Sequence, residues 1–154
     1  MPMLTYMTDA DEIGHAGHDT VDHIVETLHP IIKTSLISAM GNSGDVGLSP
    51  TSVSEILVKA ISSLDEAIAK DLLDLFPGGP DIIAKLSDGE IRAIINDSES
   101  GGKNSAKLMR CMRGSTVLVS LIDPTGSNLW VVSLGDCQAG SVDYSPSYSL
   151  FLTL

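Results

Sequence analysis

The stretch Gly114 to Gly140, GSTVLVSLIDPTGSNLWVVSLGDCQAG, decides the fold. Two runs within it, Ser115 to Ile122 (STVLVSLI) and Leu129 to Leu134 (LWVVSL), are rich in the β-branched and aromatic residues that suit a pleated, packed surface. Between them, Asp123 to Asn128 (DPTGSN) is a turn by composition. The reading is a β-hairpin over 115–134. Its strands alternate imperfectly: Val117, Leu118, Val119, Leu121, Trp130, Val131 and Val132 place apolar side chains on both faces, so the hairpin expects cover on both sides.

Toward the N-terminus the period changes from two to between three and four. Val21, Ile24, Val25, Leu28, Ile31 and Ile32 recur with polar residues between them, which predicts an amphipathic helix from Asp19 to Leu36, bent at Pro30. Residues 41–49 (GNSGDVGLS) form a turn-rich connection. Ser49 and Pro50 then open a second helix with proline in its first turn. That helix carries Val53, Ile56, Leu57, Ala60, Ile61 and Leu64 on one face and runs to about Phe76, where PGGP stops it. Residues 81–95 are more weakly helical, and 96–104 (NDSESGGKN) read as a polar, mobile loop. The tail from Ser141 begins polar and ends apolar, so Leu150 to Leu154 reads as a short strand at which the chain stops. The expected architecture is α+β: one domain over 1–154, with two main helices packed on an antiparallel sheet built around the hairpin.

Composition narrows the function. Asp and Glu outnumber Lys and Arg 20 to 9, for a formal net charge of -11, a field that repels phosphate backbones and anionic membranes. Aromatic residues make up only 4%, leaving few flat surfaces for stacking bases. Neither nucleic acid nor membrane is expected as a partner. Cys111 and Cys137 stand singly, which suits a reducing, intracellular compartment. Both are expected as packed small apolar groups. The acidic, arginine-free N-terminus resembles neither a signal peptide nor a mitochondrial presequence, so the cytoplasm is expected over the mitochondrion.

Gly114-Ser115-Thr116 at the start of the hairpin and Gly135-Asp136-Cys137-Gln138-Ala139 at its end resemble the central hairpin of the PP2C-type (PPM) metal-dependent serine/threonine phosphatases. In that family a GSTA-like start precedes a GDSRA-like end. Here Cys137 and Gln138 replace the usual Ser and Arg. Gly14-His15-Ala16-Gly17, followed by a helix, resembles the family's Asp-Gly-His-x-Gly turn at the end of a core strand. The resemblance covers residues 14–140, roughly the first half of a family domain. The helix after GHAG and the insertion before GST look somewhat like the pyruvate dehydrogenase phosphatase branch.

The resemblance implies an α-β-β-α sandwich, truncated at both ends, and a two-metal centre in which the turn's aspartate bridges two ions and the next glycine offers its carbonyl. In this sequence Gly14 is present, but the bridging position is Ile13. An isoleucine gives a hard Mg²⁺ or Mn²⁺ no anionic oxygen. Asp136 is the surviving candidate ligand, set against a plainer role as a cap of the hairpin that bonds nearby backbone amides. His18, Asp22 and His23 form a polar cluster whose spacing permits adventitious binding of Zn²⁺ or Ni²⁺, set against ordinary helix-start chemistry.

With most metal ligands missing, the leading expectation is a pseudophosphatase or fragment that acts by binding and needs no cofactor. The alternatives are an active phosphoprotein phosphatase using Mg²⁺ or Mn²⁺, and an unrelated α+β interaction module. Strands missing from both ends would leave apolar sheet surface to cover, so a homo-oligomer or a protein partner is expected.

Overall fold

The computed structural model describes residues 3–7, 17–43, 47–98 and 101–139. The elements run β1 (Met3–Met7), α1 (Asp19–Ser43), α2 (Pro50–Leu73), α3 (Pro80–Ile83), α4 (Asp88–Asn96), α5 (Lys103–Met112), β2 (Val117–Ile122) and β3 (Leu129–Leu134). The α+β class and the hairpin are as expected. The tail from Ser141, with its proposed strand at Leu150 to Leu154, lies outside the described residues.

The strands form one antiparallel sheet in the order β1-β2-β3. Val119 faces Val132 and Val117 faces Leu134 across the hairpin, while Met7 faces Leu118 on the other side of β2. The resemblance implies a core strand ending at Gly14, but residues 8–16 lie outside the described residues, and the strand at Met3–Met7 was not read from the periodicity. Its five residues (MLTYM) are too short a run to read as a strand alone and become one by pairing with β2, far along the chain.

The hairpin turn is built by one side chain. Asp123 accepts hydrogen bonds from the Ser127 amide (2.8 Å), the Asn128 amide (3.2 Å) and the Asn128 amide side chain (2.8 Å). These bonds, the Asn128 side chain first, hold the Asp123 carboxyl down at about 2.

α1 and α2 cover one face of the sheet. Ile24, Leu28, Ile32 and Leu36, each one turn apart on α1, meet Val53, Leu57, Ala60, Ile61 and Leu64 of α2. From the sheet, Val117, Val119 and Leu121 alternate inward along β2, joined by Val132 of β3. Leu28, Ile32, Leu57 and Val119 are fully buried, each contributing about 1.5 to 3 kcal/mol relative to exposure. The far end of the sheet is pinned by Trp130, whose Nε1 donates to the Pro50 carbonyl at the start of α2 (3.0 Å). Opposite the helices the hairpin stays partly open, with Ile122 38% and Leu129 54% exposed.

Three boundaries differ from expectation. α1 continues past Leu36 to Ser43, because Ile37 to Met40 include good helix formers and carry it into residues 41–43, which were assigned to the connection. Residues 81–95 split into α3 and α4. The split falls at Ser87, which caps α4 by exchanging bonds with Glu90 in a capping box and so starts a new helix. Finally, 96–104 is not one loop. Asn96 closes α4, Asp97 ends it in a left-handed conformation, and Lys103 and Asn104 already belong to α5, which was missed entirely. Asn104 Nδ2 donates to the Ile94 carbonyl (2.9 Å), tying the two helices together.

Among the described residues no helix is long and apolar enough to cross a membrane.

Candidate functional site

The C-terminal end of β1, the start of β2 and the end of β3 lie at the same edge of the sheet, since Met7 pairs with Leu118 and Val117 with Leu134. The helix that begins at Asp19 and the C-terminal turn of α5 meet there too. The described pieces of the sequence motifs therefore converge on one junction.

Its base is tight. Gly135 has φ +92, a conformation that favours glycine, and a Cβ there would lie 2.7 Å from Thr116 Cγ2. Cys137 Sγ donates to Thr116 Oγ1 (2.9 Å), closing the GST start of the hairpin against its GDC end. Cys137 is half-buried and polar-bonded, whereas Cys111, expected as a packed group, is exposed on α5.

Above this base sits Arg113, the residue just before Gly114. Its guanidinium pairs with Asp19 in the first turn of α1, where a carboxylate also favours the helix dipole. Gly17, the last residue of the GHAG turn, has φ +147, and any Cβ on it would overlap the Arg113 side chain. Thr20 is buried and donates to the carbonyls of Arg110 (2.8 Å) and Arg113, capping the end of α5. Arg110 Nη2 reaches Asp71 Oδ2 of α2 (3.0 Å), and Lys107 Nζ approaches Asp71 Oδ1 (3.4 Å).

Beside the junction is a cavity of about 190 Å³ between α1, α2, α5 and β2. Its apolar walls include Ile24, Leu28, Ile61, Leu64 and Val117, and Arg110 and Arg113 also line it. The Nε atoms of both arginines are buried without a hydrogen-bond partner among the described residues.

The residues singled out from sequence fare unequally. Ile13 and Gly14 lie outside the described residues. Asp136 follows Gly135 at the junction and is exposed. No hydrogen bond joins its carboxylate to a described residue, so the capping role is not seen there. His18 and Asp22 are exposed one turn apart, linked through the backbone by the Asp22 amide and the His18 carbonyl (2.8 Å). His23 faces a different neighbourhood: burial first, then the Arg110 charge, lowers its pKa from 6.5, against smaller opposing pulls from Asp71 and Glu26. No group of three His, Cys, Asp or Glu side chains able to hold a metal ion occurs among the described residues.

The basic side of the junction was not anticipated. A signal for it exists, since Lys107 and Arg110 are spaced to share one face of a helix and Arg113 follows just past its end. It was unreadable without α5.

No protein-family model, no curated protein and no solved structure matches the chain.

Proposed function

We propose that the chain is a PP2C-like serine/threonine phosphatase domain that lacks most of its metal ligands and acts by binding rather than catalysis. The observation that carries this reading is the junction itself. Gly17 of the GHAG turn packs on Arg113, immediately before the GST motif, and Gly135 of the GDC motif packs on Thr116 within it. Three short motifs, separated by up to a hundred residues or so, meet at one sheet edge beside the start of α1. The two ends of any hairpin meet, so the weight of this support falls on Gly17, which is brought to the same place from far along the chain.

The antiparallel order β1-β2-β3, with two long helices on one face, suits one half of a sandwich of two facing sheets. The partly exposed Ile122 and Leu129 on the opposite face supply apolar surface for a second copy or another protein.

The donors do not fit a two-metal centre. Asp136 alone among the described residues matches a family carboxylate, and Ile13 occupies the bridging position. Six or so oxygen ligands are the ordinary requirement of Mg²⁺, and one carboxylate cannot organise them.

The test is turnover of p-nitrophenyl phosphate by the full chain across a titration of Mn²⁺ and Mg²⁺. No metal-dependent rate is expected. A rate comparable to that of a complete family enzyme, abolished by Asp136→Ala, would overturn the reading.

A further inference from the structure

The cavity between α1, α2, α5 and β2 separates two unlike surfaces. On one side stand core side chains, Ile24 and Leu28 of α1, Ile61 and Leu64 of α2 and Val117 of β2, none of them more than 6% exposed. On the other side is α5, which lines the cavity with Arg110 and Cys111 and has no buried residue of its own. The polar groups around the space are already engaged. Thr20 donates to the carbonyls of Arg110 and Arg113, and Ser115 Oγ donates to the Thr116 carbonyl (3.1 Å). The charges offset one another: Lys107, Arg110 and Arg113 are matched by Asp71, Asp19 and Asp65, so no net charge selects an ion. Exposed Asp65 and Ala69 mark the side that opens to solvent.

We propose that this cavity is a binding site for a small uncharged hydrocarbon, aromatic or aliphatic, which fills the space between the core and α5 and fastens that helix. An apolar cavity of about 150 Å³ stays dry and holds benzene, so one of about 190 Å³ accommodates such a ring with one further carbon. A water molecule needs two to four polar partners, and the core side of the cavity offers it only aliphatic walls. A hydrocarbon leaves water with a gain and gives up no hydrogen bond. An ion would shed its hydration without finding an unmatched charge. Bound between Cys111 of α5 and Ile61 and Leu64 of α2, the ligand adds apolar contact to a helix held otherwise by polar ties. The site is independent of the phosphatase-like reading, because it uses neither Asp136 nor a metal.

The test is a titration of the full chain with toluene, benzoate and benzylamine, read by NMR shifts of the Ile and Leu methyl groups and by amide exchange in α5. Toluene is expected to bind about tenfold or more tightly than either ion, the difference that burying an uncompensated polar group makes. At saturation it should slow amide exchange in α5 severalfold while leaving the β2-β3 hairpin unchanged. Ala69 lines the cavity but is exposed, so Ala69→Phe fills the space without removing a core contact; it is expected to abolish the toluene shifts. Equal affinity for the three compounds, or toluene shifts that persist in folded Ala69→Phe, would overturn the proposal. So would unaltered exchange in α5, which is read on the unsubstituted chain and needs no variant to fold. A preference for benzylamine would do the same, since it would mean that Asp65 at the mouth governs what enters.

Discussion

The hairpin of β2 and β3 and the helix α5 are neighbours in sequence and opposites in construction. Each hairpin strand contributes buried apolar side chains, Val117, Val119 and Leu121 from one and Val132 from the other, to a core shared with α1 and α2. α5 contains no buried residue. Polar ties hold it in place: Thr20 on its terminal carbonyls, Asp71 and Asp19 on its basic side chains, and Asn104 on α4. The hairpin is therefore held by surface area removed from water, and α5 by a few directional bonds to residues far away in sequence. Non-directional burial tolerates small shifts, whereas bonds such as those of Thr20 do not.

If that contrast is right, the largest effect should come from the apolar side. Leu121→Ala removes a side chain that is 3% exposed, and should cost about 2 to 5 kcal/mol by chemical denaturation. A loss under about 1 kcal/mol would mean that the hairpin is not part of the shared core. Next in size is Thr20→Val, which keeps the shape but leaves two carbonyls at the end of α5 without their donor. The expected loss is about 1 to 3 kcal/mol, with faster amide exchange confined to α5 and the first turn of α1. Exchange that rises evenly over the hairpin as well would erase the distinction between the two regions.

The smallest effect is a difference in acid response. The His23 pKa is lowered by burial and by Arg110, so above 6.5 the ring is neutral whether the chain is folded or not. As pH falls below 6.5 the unfolded chain takes up the proton first, and stability on the α5 side declines. Asp123 in the hairpin turn is held at about 2 against an ordinary 3.8. Its contribution is complete above 3.8 and fades only as pH falls toward 2. Amide exchange followed from pH 7 to pH 3 should thus loosen the α5 side first and the turn last. His23→Gln should remove the early phase, and its persistence in that variant would assign it to another group.

The same contrast explains what could be read from the sequence. The hairpin was legible because everything that makes it is local: β-branched runs, and a turn in which Asp123 reaches residues only four and five positions ahead. The stripes of α1 and α2 were legible for the same reason. α5 was not, because Gly101, Gly102, Lys103 and Asn104 look like loop, and the partners that make the segment a helix are Thr20 and Asp71. The placement of β1 escaped for a kindred reason, since its partner among the described residues, β2, lies more than a hundred residues away. At the candidate site, Gly114, Gly135 and Asp136 were visible as motif residues, while Arg113 and Arg110 became visible only once α5 placed them against Asp19 and Asp71.

The position of β1 has a consequence for how the chain assembles. α1 and α2 can meet as soon as both have been made, and they bring their own apolar faces. β1 cannot: its partner β2 ends at Ile122, so at a synthesis rate of about 5 to 20 residues per second the first strand waits for roughly 6 to 24 seconds. During that interval its amides and carbonyls have no ladder. Closing so long a loop also carries an entropic cost that the local pairing of β2 with β3 does not.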